Sequence, residues 1–225
     1  MRGALAALAL STFLLGVVHA QGGPPPAAVQ QNFRGVTLVK QGKLQEAIEE
    51  FRQAVRTDPG YVTALMNLGH AYDLHGDTDD AIAQYRTALE REPDNALAHN
   101  NLAVLYDRKG LHDEAIQELQ RVLQRDPTNV GALKNLESAT RNQAIVKERD
   151  EQITGALKEF EARPGDPRAA YRIARIQALH GRTDEALAWI TKAVELGFDD
   201  LDYMAVDPAF VSLRNDPRFT ELTRR

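Results

Sequence analysis

Across the central hundred or so residues the apolar side chains keep a helical spacing, and the arrangement returns every 34 positions. Leu65, Leu68, Gly69 and Tyr72 stand at i, i+3, i+4 and i+7 and so share one face of a helix. Gly76 follows as a turn. Asp77, Thr78, Asp79 and Asp80 then open a second helix, where their oxygens suit the free N–H groups and the positive dipole end. Ala81, Ile82, Tyr85, Ala88 and Leu89 give that helix its inner face, and Glu92-Pro93 halts it. Gly69 and Ala81 are small enough for the paired helices to approach closely.

The same residue types recur in register. Gly42, Gly76 and Gly110 form one series, Ala47, Ala81 and Ala115 a second, and Pro59, Pro93 and Pro127 a third. The pattern predicts an all-α chain of helix hairpins, with units at 28–61, 62–95 and 96–129. The first keeps Gly35, Leu38, Phe51 and Ala54, with Arg34 expected to be exposed at an end of the array; the third keeps Leu102, Ala103 and Tyr106. From 130 to 166 the pattern weakens, because Ala144 replaces the turn glycine, and we read this stretch as a degenerate fourth hairpin. A fifth unit, 167–197, carries Ala170, Ile173, Ala174, Gly181, Ala186 and Ile190. Residues 198–225 hold Asp207-Pro208 and Asp216-Pro217, each an aspartate N-cap with proline in the first helical turn. They predict short capping helices, of the kind solenoids need at their ends.

A period of 34 with Leu65-x-x-Leu68-Gly69-x-x-Tyr72, then Ala81-x-x-x-Tyr85 and Pro93, resembles the tetratricopeptide repeat (TPR) family, with leucine replacing the usual leading tryptophan and tyrosine the later phenylalanine. The resemblance implies a TPR-type α-solenoid of antiparallel helix hairpins in a right-handed superhelix, whose inner surface is lined mainly by first helices. It also implies binding of a protein or extended peptide there. Asn67, Asn101 and Asn135 recur 34 apart in successive first helices and resemble the amide ladder with which such arrays hold a peptide backbone. A primary amide carries donors and an acceptor together and can pair with both C=O and N–H of a main chain.

Three amides at about 0.5–1.5 kcal/mol each fall short of the roughly 8 kcal/mol that micromolar binding requires. Side-chain contacts must supply the rest, and the candidates within a turn are Met66, His70, Asp73, Asn100, Val104, Asp107, Lys134 and Arg141. The clamp with which some TPR proteins grip a chaperone's terminal carboxylate is not implied. Its lysine and arginine positions are among those taken here by Asn32, Val36, Leu97 and Asn101.

Charge and composition narrow the partners. The formal net charge is -5, with acidic and basic residues interleaved, so no nucleic acid is expected. Cysteine is absent, which excludes disulfides, thiolate metal sites and cysteine nucleophiles. Arg2, the apolar run from Ala4 to Val18 and Val18-His19-Ala20 read as a signal peptide, residues 1–20, cut after Ala20. The run is shorter than the roughly 20 residues of a spanning helix, so no stable membrane insertion is expected after cleavage. Residues 21–27 form a Pro/Gly spacer, and the mature chain is expected to be exported, periplasmic or secreted.

Little in the chain supports catalysis. His70, His75, His99, His112 and His180 are scattered, and there is no HExxH, Gly-x-Ser-x-Gly or phosphate loop. His70 and His99 with Asp73 reach only the lower bound of the three or four converging ligands a metal needs, so no metal or other cofactor is expected. Glu46-Glu49-Glu50 and Asp113-Glu114-Glu118 read as solvated faces and helix starts, and Trp189 and Phe198 as late core. The sequence therefore points to a protein- or peptide-binding adaptor or scaffold. A self-associating structural unit, hence a homo-oligomer, is the alternative class, and an enzyme is a distant third.

Overall fold

The computed structural model describes residues 23–224, so the signal peptide expected over 1–20 lies outside the described residues. The elements are α1 (Pro26–Lys40), α2 (Leu44–Thr57), α3 (Val62–His75), α4 (Thr78–Arg91), α5 (Ala96–Arg108), α6 (His112–Arg125), α7 (Val130–Ala162), α8 (Pro167–Leu179), α9 (Thr183–Glu195), α10 (Leu201–Val206), a 3₁₀ turn (Pro208–Leu213) and α11 (Pro217–Thr223). No strand occurs among the described residues. The chain divides into two compact units, one ending at Leu136 and one beginning at Glu137.

In the first unit α1 pairs with α2, α3 with α4 and α5 with α6, and α2 and α4 each pack on the helix that follows. The turns form because Gly42, Gly76 and Gly110 adopt φ of 75°, 98° and 76°, which side chains with a Cβ resist. At Gly76 the helix closes with the Asp77 N–H donating back to the Tyr72 carbonyl at 2.9 Å, the longer-range bond of a Schellman end. Asp77 does not cap α4 with its side chain as expected. Its carboxylate lies 2.8 Å from His75 Nδ1 instead, on the preceding turn.

Within each hairpin the two closest residues are matched in size. Gly35 faces the buried ring of Phe51, and a Cβ there would sit 2.5 Å from the ring; Gly69 faces Tyr85 in the same way, at 2.9 Å. Where the second helix offers a smaller residue, the first carries alanine: Ala103 stands in register with Leu119, and in the second unit Ala174 with Ile190, all four buried. Neighbouring hairpins are also tied. Arg52 Nε donates to the Tyr72 hydroxyl at 2.7 Å and its guanidinium lies 5.4 Å from that ring, and Arg86 repeats both contacts on Tyr106 at 2.9 and 5.6 Å.

Two boundaries differ from the sequence reading. α1 starts at Pro26, which takes the first helical position, so the spacer ends at Pro25 and not at residue 27. Residues 130–162 form one helix in place of the expected fourth hairpin. Ending the first half would require a left-handed residue, and Ala144 would lose about 1–2 kcal/mol in that conformation. With neither glycine nor proline between Gly131 and Gly155, propagation wins.

The second unit packs α8 and α9 as a hairpin and closes it with the tail. Asp166 accepts from the Arg168 and Ala169 N–H groups and so starts α8. Tyr171, Ile190, Met204, Phe210, Leu213 and Phe219 belong to one buried cluster. Trp189 meets Phe160 edge-on at 5.1 Å and Phe198 stacks on Tyr171 at 4.2 Å, so both join this core as expected. Asp207 is fully buried: Oδ1 accepts the Ala209 N–H at 2.9 Å, while Oδ2 accepts the Tyr171 hydroxyl at 2.6 Å and lies 2.9 Å from Arg175 Nε. The Tyr171 hydroxyl is consequently held far above its ordinary range, first by burial and then by the Asp207 carboxylate it bonds.

Candidate functional site

The site is built by the outward face of the first helices in the first unit. On α3, Leu65, Leu68 and Tyr72 are buried, which leaves Thr63, Asn67, His70 and Leu74, at i, i+4, i+7 and i+11, on the opposite side. The 34-residue repeat puts Val29 and Phe33 at the matching positions of α1, Leu97, Asn101 and Val104 at those of α5, and Asn135 at that of α7.

The three amides are partly exposed and already hold neighbours. Asn67 Nδ2 donates to Asn32 Oδ1 at 2.8 Å, and Asn32 Nδ2 donates in turn to the Tyr61 hydroxyl at 3.5 Å. Asn135 Nδ2 donates to Asn100 Oδ1 at 3.5 Å. Between them the position of Asn32 and Asn100 is taken by Met66, a poor acceptor, and Asn101 instead lies beside the Tyr85 hydroxyl, whose ionised form its amide favours. Each amide thus ties one hairpin to the one before it. One bond uses only part of a primary amide's two donors and one oxygen.

Of the other residues picked from the sequence, His70 and Val104 lie exposed on the face, and Lys134 is exposed near the start of α7. Met66 is buried in the core and so offers no open pocket wall, which corrects the expectation for it. Asp73 is ion-paired with Arg108 of the next hairpin, and Asp107 lies 2.6 Å from His112 Nδ1. Arg141 belongs to the second unit, where it pairs with Glu137 at 2.6 Å. His99 is buried away from this face. Its Nε2 donates to the Pro93 carbonyl at 2.9 Å and its Nδ1 lies 2.5 Å from Glu118, which is therefore a partly shielded partner of His99 and not a freely solvated carboxylate.

Sequence reasoning missed the apolar members. Val29, Phe33 and Leu97 are 41%, 70% and 62% exposed, an unusual state for such side chains when they share one face. Extending the asparagine register by four residues toward the N-terminus would have found Val29 and Leu97. Asn32 was legible too, since Asn32 and Asn67, like Asn100 and Asn135, stand 35 apart.

The electrostatics of the face converge on Tyr85. Burial first, and then the negative charge of Asp73, push its hydroxyl up to about 12, with the Asn101 amide and Arg108 acting in the opposite direction. Unfolded, the phenol ionises near 10. Between those values the native state holds a proton that the unfolded chain has lost, so stability contributed by Tyr85 is intact below pH 10 and falls as pH rises toward 12. Thermal melts at pH 9.5 to 11.5 should show Tyr85→Phe losing less stability over that window than the parent chain; equal slopes would place the pH response elsewhere.

Among the described residues no group of three or more metal-ligating side chains converges, and no helix is long and apolar enough to cross a membrane. The tetratricopeptide-repeat family model matches residues 34–86, 68–130 and 151–200, most of the helical array. The chain belongs to the tetratricopeptide-repeat family. Over 42 residues this TPR chain is 50% identical to the chloroplastic TPR domain-containing protein PYG7 of Arabidopsis thaliana, a stretch that is 19% of the chain and 14% of that relative's length. Solved structures share the fold. The second TPR domain of human RPAP3, in complex with the HSP70 peptide SGPTIEEVD, matches at 24% identity and a TM-score of 0.50, over 52% of this chain and 98% of that one. The first TPR of Spaghetti (RPAP3), bound to the HSP90 peptide SRMEEVD, matches at 23% and 0.51, over 52% and 94%. MamA matches at 24% and 0.50, over 79% and 95%.

Proposed function

We propose that this TPR protein is a protein-binding adaptor or scaffold, and that the first-helix face of residues 26–136 receives an extended segment of another protein. The observation that carries the reading is the placement of exposed apolar side chains, Val29, Phe33, Leu97 and Val104, beside partly exposed amides on one face. Apolar contacts supply affinity, while amides with spare donors and acceptors satisfy a backbone that must leave water. Peptides held by TPR domains of the same fold in RPAP3 are in keeping with this reading. The apolar start of the chain, with Ala20 at its end, supports export to the envelope or beyond, and a mature N-terminus at Gln21 would be the mark of it.

The double variant Asn67→Ala/Asn101→Ala tests the site. Each change removes about 0.5–1.5 kcal/mol of backbone binding, so a loss of affinity for a captured partner of about fivefold or more is expected. Because both amides also tie hairpins together, the melting temperature is read alongside. Weaker binding after the fold is shown to be intact supports the role, and unchanged binding removes these two amides from it. Self-association remains a second reading, favoured by Tyr203, Val206 and Val211, which the tail leaves 49%, 65% and 63% exposed. A monomeric mass in sedimentation would dismiss it.

A further inference from the structure

The distribution of apolar and polar groups on this face specifies the chemistry of its occupant, given the binding role proposed above. Apart from Leu74 in the last turn of α3, the exposed apolar side chains of this face fall in two groups, Val29 and Phe33 on α1 and Leu97 and Val104 on α5. Between them α3 presents Thr63, Asn67 and His70, polar groups suited to a peptide backbone. Of the acidic groups beside these positions, Asp73 is ion-paired with Arg108 and Asp107 is held against His112 Nδ1, and no cluster of lysine and arginine faces outward between the two apolar groups. A charged occupant would lose hydration without meeting an opposite charge.

A helix with its side chains is about 10–12 Å across, so with α3 between them the α1 and α5 groups are separated by about 20 Å. An extended chain advances about 3.3 Å per residue and returns a side chain to the same face every second residue. Six residues span about 20 Å and preserve the facing; three residues span about 10 Å, reach only the polar α3, and point the second side chain away. We infer that the occupant is an uncharged, extended segment of a partner protein carrying two bulky apolar side chains six residues apart, one seated on Val29 and Phe33 and the other on Leu97 and Val104, with its intervening backbone held by Asn67 and its neighbours.

Fluorescein-labelled eleven-residue peptides test this by anisotropy against the full chain. One carries two phenylalanines six apart in a Ser/Asn background, a second has them three apart, and a third places glutamates between the six-spaced pair. The first is expected to bind at least tenfold more tightly than either of the others, and Phe33→Asp or Leu97→Asp to abolish that preference while leaving the melting temperature unchanged, since both residues are exposed. Equal affinity for the two spacings, tighter binding of the acidic peptide, or a preference that survives both substitutions would overturn the inference while leaving a binding face in place. Failure of all three peptides, together with an Asn67→Ala/Asn101→Ala variant that still captures a partner, would overturn the site itself.

Discussion

Replacing Asp207 by alanine is expected to lower the stability of the second unit by about 3 kcal/mol, the lower end of the range for breaking a buried ion pair. The lower end applies because Arg175 is 43% exposed and water replaces part of what it loses. The Tyr171 hydroxyl has no such relief, being buried and bonded to Asp207 Oδ2 at 2.6 Å. The Ala209 N–H also loses its acceptor, which opens the 3₁₀ turn that carries Phe210 into the core. Asp207→Asn keeps an oxygen for the backbone and should cost less than half as much. Trp189 is the single tryptophan and packs on Phe160 in this unit, so its fluorescence during urea unfolding reports the change directly. A loss below about 1 kcal/mol for the alanine variant would mean that the tail is not pinned through this carboxylate.

Gly35→Ala is expected to cost about 1–3 kcal/mol even though alanine favours a helix over glycine by about 1 kcal/mol. The added methyl would stand 2.5 Å from Cε1 and 2.6 Å from Cδ1 of Phe51, whose ring is 1% exposed and has little room to yield. Phe51→Leu alone should also destabilise, by leaving a cavity. Together the two changes recreate the pairing that the chain uses at Ala103 and Leu119, so the double variant should be more stable than the sum of the single effects by about 0.5–3 kcal/mol. Far-UV circular dichroism during denaturation measures this in the first unit, which has no tryptophan. Additive effects would show that the helix–helix contact at Gly35 is looser than its geometry implies.

The hairpins were legible in sequence because their determinants are local: apolar residues at helical spacing, a glycine able to take positive φ, and proline at each unit boundary. What was not legible depended on residues far apart in the chain. Nothing near Asp207 announces that Tyr171 and Arg175, on another helix, will meet its second oxygen. Met66 lies beside Asn67 and was assigned to the face, but one residue is 100° of rotation on a helix, enough to take the side chain into the core. Asp73 carries charge in the right region yet is paired with Arg108, which only the stacked helices bring near, while Asp107 is engaged across the Gly110 turn by His112. The uninterrupted α7 follows from a missing stop signal: without a turn glycine at Ala144 the chain continues as one helix, where the repeat pattern alone predicts a hairpin.

The most direct test of the binding face is to place a photoactivatable amino acid at His70, exposed in the middle of the first-helix face, and at Gln117, exposed on a second helix, and to irradiate each with a captured partner. Cross-links from His70 and none from Gln117 are expected. Cross-links from Gln117 alone, or equally from both, would mean that the partner docks elsewhere and that the amides of α3 and α5 serve only to hold the hairpins together.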